Sequence, residues 1–232
     1  MNMRAIFSDS IRLWRNKWFY LSGAFTAFLL WLDLGADVNL LRYSEKEEIV
    51  RLMTEILSGK GNLLSLPLLS VLPCSASVCK EMSTGAARYA VFYCGYGRYV
   101  LSKITAILLS ALLSQFAGVM LFGGIISWAA GFPVLAPAPL VAQRLLVASC
   151  FAMSGNISAL LTKDIVSAYA IPVVFVFALS MFRWRFFFDA TYMDPMMWLS
   201  AEGFAIPFAI LSFLLLTALS LLLTTWEVRN YV

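Results

Sequence analysis

Long apolar runs, one after another, decide what this chain can fold into. A helix needs about 20 predominantly apolar residues to cross a bilayer. Stretches of that kind recur at 18–36, 62–79, 103–130, 140–161, 165–182 and 204–225. The chain is 61% hydrophobic and 13% charged, with a mean hydropathy of +0.83. Soluble domains run near about 45–50% apolar and about 25% charged. A soluble core of 232 residues cannot hide this much apolar surface. The expected fold is an all-α integral membrane protein: one membrane domain over residues 1–232, with six transmembrane helices.

The segments between these runs have patterns of their own. Phe7, Ile11, Trp14 and Trp18 recur at spacings of four, three and four, on one helical face. Arg4, Arg12, Arg15 and Lys17 surround them, which predicts an interfacial helix over 1–17, with a solvated tail as the alternative. The first 18 residues are too mixed for a charged leader region, so no cleavable signal peptide is expected. In 43–60, Ile49, Leu52, Met53, Ile56 and Leu57 alternate with Glu47, Glu48, Arg51 and Glu55 in the pattern of a short amphipathic helix. Residues 183–203 mix aromatics, Met and charges, which predicts one or two short re-entrant helices at the outer interface before the last span. Only Thr162, Lys163 and Asp164 separate the fourth and fifth spans, so these should form a hairpin. Gly131, Pro133, Pro137 and Pro139 interrupt the chain between the third and fourth.

Charge orients the bundle. With the N-terminus inside, the inner segments carry Arg4, Arg12, Arg15, Lys17, Lys80, Arg88, Arg98, Lys103, Lys163 and Arg229 against Asp9, Glu81, Asp164 and Glu227. Basic residues collect in cytoplasmic loops, so a multi-pass protein of the cell (plasma) membrane with both termini cytoplasmic is expected. The same rule accounts for the net charge of +4. A nucleic-acid partner would need a clustered basic face on a binding fold, and none is visible.

Much chemistry is absent. The chain has no histidine, which removes Ser-His and Cys-His pairs and the usual transition-metal sites. Cys74, Cys79, Cys94 and Cys150 form no Cys-x-x-Cys pair and read as packing residues. The string Gly59-Lys60-Gly61 lacks the frame of a phosphate-binding loop. No catalytic or metal site is therefore assigned. Every Asp and Glu falls outside or at the end of a span, so ion coupling has no mid-membrane carboxylate. Gln115 and Asn156 are the strongly polar residues well inside spans. They are the candidates for lining a path, and the plainer reading of each is an interhelical hydrogen bond. Arg144, near the outer start of the fourth span, is expected to snorkel. Gly118, Gly123, Gly124 and Gly155 are expected to permit close helix packing.

One segment stands apart. Residues 81–103, EMSTGAARYAVFYCGYGRYVLSK, are polar and aromatic between two apolar runs. Arg88, Arg98 and Lys103, with Lys80 just before, outweigh Glu81, so the segment belongs beyond the cytoplasmic bilayer edge. It resembles the cytoplasmic segment after the second span in the ABC-2 type permeases of ATP-binding cassette exporters. That family typically shows an acidic residue, a Gly four positions on and a basic residue three further. An apolar helix follows, then a Ser-Arg-like pair and a Lys five residues later. The matching positions are Glu81, Gly85, Arg88, Val91 and Phe92, Gly97-Arg98, and Lys103. Ala86 stands where Thr is frequent and Gly97 where Ser is frequent.

The resemblance implies a function. In that family this segment is a coupling helix that docks in a groove of a separate ATPase subunit. Glu81, Gly85, Arg88, Phe92, Arg98 and Lys103 would then form the coupling set, with Tyr89, Val91 and Tyr93 available to fill a pocket. The implied partners are a cassette ATPase, a second permease chain (same or paralogous) and membrane lipid. This chain would hold no cofactor, with ATP and magnesium on the ATPase. The implied activity is export of a peptide, antimicrobial or lipid-like substrate. A second reading is a non-transporting scaffold or sensor that recruits a cytosolic protein through residues 81–103. A third, an intramembrane enzyme using Ser154 or a cysteine, has least behind it, given no histidine and no buried carboxylate.

Overall fold

The structure is a computed structural model and describes residues 15–35, 41, 45–59, 62–186, 197–199 and 205–231. The expected interfacial helix falls almost wholly outside these residues. The described chain is helical, without strands: α1 (Lys17–Leu34), α2 (Lys46–Ser58), α3 (Asn62–Val71), α4 (Ser77–Ser83), α5 (Ala86–Cys94), α6 (Tyr96–Ala130), α7 (Ala138–Thr162), α8 (Ile165–Phe186) and α9 (Ala205–Tyr231), with a 3-10 turn at Met197–Leu199. Among the described residues, four helices (α6, α7, α8 and α9) are long and apolar enough to cross a membrane, as in a transmembrane protein.

α7 is the hub. It packs against α3, α6, α8 and α9, and its small residues Ala148, Ala152, Gly155 and Ala159 let these neighbours close in. A Cβ on Gly155 would stand 2.8 Å from Val71 Cγ1 and 3.0 Å from the Ala168 carbonyl. α6 forms its closest seam with α1, where a Cβ on Gly118 would meet Thr26 Cβ at 2.6 Å. Gly124 differs, since a Cβ there would meet nothing within 4 Å. α8 and α9 lie at the perimeter and expose Phe175, Phe177, Leu214 and Leu222. The α7–α8 hairpin forms as expected. Lys163 closes α7 in the left-handed region (φ 55°), and the Asp164 carboxylate accepts the Val166 amide at 3.2 Å to start α8.

The expected second span, Asn62 to Cys79, is not one helix. α3 stops at Val71, and a run of turns through Leu72–Ala76 separates it from α4. Pro73 supplies the reason: it has no amide to donate, and its ring disfavours helical backbone at Leu72. The Asn16 side chain donates to the Pro73 carbonyl at 2.5 Å, which ties the start of α1 to the break.

Two ends of the bundle can be told apart. At one lie α4, α5, the 163–164 turn and the last turn of α9; at the other, α2. The expected amphipathic helix in 43–60 is α2, which buries Ile49, Met53, Ile56 and Leu57 against Leu34, Phe122, Ile126 and Leu140. Arg144 does not snorkel. It is 1% exposed, and its Nη1 donates to the Leu57 carbonyl at 3.4 Å. α2 covers that end, so the guanidinium has no route to water. The last carbonyls of a helix lack intrahelical donors and favour a cation, and Asp33 adds electrostatic attraction. Of the expected outer segment 183–203, Arg183–Phe186 continue α8 and Trp198 sits in the core. Met197–Leu199 form the 3-10 turn, with Leu199 buried beside Trp198, and residues 187–196 and 200–203 lie outside the described residues.

Candidate functional site

The 81–103 segment folds as three pieces: the end of α4, the whole of α5, and the first two turns of α6. α5 is nine residues long and a glycine stands at each end. Gly85 adopts φ 78°, ψ −6°, and Gly95 adopts φ 81°, ψ 150°. The first conformation costs an L-residue about 1–2 kcal/mol, and the second is essentially reserved for glycine. These two reversals set α5 at an angle to both neighbours, so its direction is fixed by backbone chemistry.

α5 is amphipathic at helical spacing. Ala87 and Val91 are buried against Val78, Tyr99 and Val100. Arg88, Tyr89, Phe92 and Tyr93 point outward, the three aromatics 73%, 87% and 85% exposed. Phe92 and Tyr93 stack edge to face, with centroids 5.9 Å apart. Val91, expected among the pocket-filling residues, instead anchors the helix from beneath.

The remaining residues of the expected coupling set differ in placement. Glu81 and Lys103 turn inward and pair, Nζ to Oε1 at 2.8 Å, with side chains 16% and 6% exposed. The buried Tyr99 hydroxyl donates to the second Glu81 oxygen at 2.9 Å. One carboxylate thus joins α4 to two residues of α6, four apart on one face. Arg98 is exposed on the first turn of α6. Arg88 is exposed too, yet it reaches α9: its Nε donates to the Tyr231 carbonyl at 3.3 Å, and its guanidinium lies 4.9 Å from the Tyr231 ring centre. The Tyr231 hydroxyl returns a hydrogen bond to the Met82 carbonyl.

Gly95, Tyr99 and Tyr231 are therefore structural members of the site that the motif pattern omitted. Tyr99 was readable, since it precedes Lys103 by four on one helix. Tyr231 carries no local signal, because its partners lie 143 and 149 residues away.

Gln115 and Asn156 lie apart from this site, in helix seams. Gln115 Nε2 donates to Thr26 Oγ1 at 3.2 Å between α6 and α1. Asn156 Nδ2 lies 2.7 Å from Ser220 Oγ and 3.2 Å from Thr224 Oγ1, between α7 and α9. Both are fully buried.

Two cavities flank the segment. One of about 360 Å³ lies beside the Leu72–Ala76 break, bordered by Trp18, Lys80, Glu81, Lys103 and Tyr169. The other, about 340 Å³, lies between α4, the end of α7 and the end of α9. The arrangement presents an oriented aromatic and cationic ridge, braced from behind by a buried ion pair. In comparisons with known proteins, no family model matches the chain and no curated protein sequence matches it.

Proposed function

We propose that this chain is the membrane-spanning permease subunit of an ATP-binding cassette exporter, with α5 as the coupling helix. The observation that carries the reading is the outward face of α5: four adjacent aromatic and cationic side chains on a short helix between two glycine reversals. Interfaces take much of their binding energy from aromatic and Arg anchors of this type. Behind that face, Glu81, Tyr99 and Lys103 join α4 to α6. Closure of a docked ATPase would push on α5, and the push would pass through this brace into α6, a 35-residue rod.

In this reading α1 and the broken α3–α4 pair supply two further crossings, making six with α6–α9. The end bearing α5 faces the cytoplasm, supported by the exposed Arg15, Lys17, Lys80, Arg88, Arg98, Lys163 and Arg229 gathered there. Both termini then lie inside the cell membrane's cytoplasmic face. ATP hydrolysis, with its magnesium, belongs to a separate chain. A second permease chain, identical or paralogous, completes the path for a peptide, antimicrobial or lipid-like cargo. The seams that hold Gln115 and Asn156 agree with a path formed between chains rather than within one.

The test is transport coupling in proteoliposomes that contain the permease and its ATPase. Gly85→Trp and Arg88→Glu should each lower cargo moved per ATP hydrolysed at least tenfold, with membrane insertion unchanged. Unaltered coupling in both variants would refute the reading. The same burial of Gln115 and Asn156 favours one rival, a scaffold that recruits a cytosolic protein through α5 without transport. Partner binding with no ATP-dependent flux identifies it.

A further inference from the structure

We propose that the cavity of about 340 Å³ between α4, α7 and α9 is a second docking socket for the same cytosolic ATPase, filled by an apolar side chain carried on an acidic segment of that partner. The proposal rests on the permease reading and adds to α5 a contact it does not contain. Cys79, Met82 and Leu160 make the cavity's apolar floor, and the exposed Ser83, Lys163 and Asn230 stand at its mouth. Pockets of this size and polarity are commonly ligand sites, which run from about 300 to 1,000 Å³.

Three observations select a protein occupant of that chemistry. First, the socket is continuous with α5. Tyr231 forms part of its wall, accepts the Arg88 hydrogen bond through its carbonyl, and donates to Met82 through its hydroxyl. A partner seated on Arg88, Tyr89 and Phe92 therefore reaches the mouth without leaving the surface. Second, the surroundings are cationic. The cavity's own charged lining, Lys163 and Glu227, is a pair at 3.9 Å with Glu227 largely covered, and the exposed Lys80, Arg88 and Arg229 around it leave the face cationic. Only Asp164 is an exposed acid among the described residues of this face. Complementary charge steers an acidic partner and fixes its register. Third, the mouth opens among polar and charged residues at the helix ends, so an occupant arrives from water and not from hydrocarbon.

The test measures ATPase affinity for the full chain in nanodiscs, screening each cassette ATPase subunit of its genome that lacks spans of its own. Asn230→Trp and Ser83→Trp place bulk in the mouth at exposed positions, away from the α5 face. The expected result is at least tenfold weaker binding for each, with Arg88→Glu weakened as well. Binding lost only in Arg88→Glu overturns the socket and leaves the permease reading standing. Absence of binding by the wild-type chain overturns both. If the filled variants keep the ATPase but lose phosphatidylglycerol in native mass spectrometry, the socket is a lipid site and the proposal falls. Circular dichroism and unfolding temperature verify that both Trp variants are folded; should one misfold, the other alone decides.

Discussion

Phe92 and Trp128 are about equally exposed, 87% and 86%, at opposite ends of the bundle. Their neighbours differ. Phe92 has Tyr89 and Tyr93 beside it, Arg88 one turn back, and a helix whose direction two glycines determine. Trp128 is in the last turn of α6, before Gly131 and the proline-rich segment 133–137, near the exposed Leu135. A single Trp at a helix end is the ordinary anchor of a membrane–water interface. Exposure alone therefore does not mark a docking surface; the proposal for α5 rests instead on a cluster with mixed chemistry on a rigid support.

Buried cations sharpen the contrast. Lys103 is held by a carboxylate and braces α4 against α6. Arg144 is held by a helix-end carbonyl and fastens α2 over the other end. The first bond joins the helices that lead into and out of α5. The second closes a cover.

The largest expected effect is at Glu81. Glu81→Ala leaves Lys103 buried without its carboxylate and should destabilise the detergent-solubilised protein by about 3–5 kcal/mol. Glu81→Leu combined with Lys103→Met should recover most of that loss in the same unfolding assay. Next, Arg144→Met removes a hydrogen bond from a charged donor, at about 1.5–3 kcal/mol. Its effect should be local: faster amide exchange over 46–58 and unchanged exchange over 86–94. Equal acceleration at both ends would break the distinction drawn between brace and cover. Gly85→Ala forces a Cβ into the left-handed region and should cost about 1–2 kcal/mol, read as faster exchange within α5. The smallest effect is at Gln115, where Gln115→Leu should change stability by about 0.6 kcal/mol. A large loss of transport with so small a change would favour Gln115 as a path-lining residue.

The apolar runs made α7, α8 and α9 legible to within a few residues. Hydropathy locates hydrocarbon rather than helix ends, which is why α6 starts at Tyr96 and not at Lys103, and why α9 continues past Thr225 to Tyr231. The interruption at Leu72–Ala76 was hidden because Pro73 sits inside an apolar run, where composition hardly registers a missing amide. Arg144 does not snorkel as expected, because snorkelling assumes a nearby route to water and α2 removes it. Within the candidate site, the outward placement of Tyr89, Phe92 and Tyr93 agrees with their expected role, whereas Val91, expected beside them, lies four residues from Ala87 on the buried face of α5. The inward turn of Glu81 and Lys103 does not: two charged residues 22 apart read equally well as separate surface groups until α4 and α6 are brought together.

The most direct measurement places a photo-crosslinking phenylalanine analogue at position 92 and, separately, at position 128, in cells that express the candidate cassette ATPase. The account predicts an ATPase adduct from position 92, abolished by Gly85→Trp, and lipid adducts alone from position 128. Lipid adducts alone from both positions would contradict the assignment of α5 as a coupling helix.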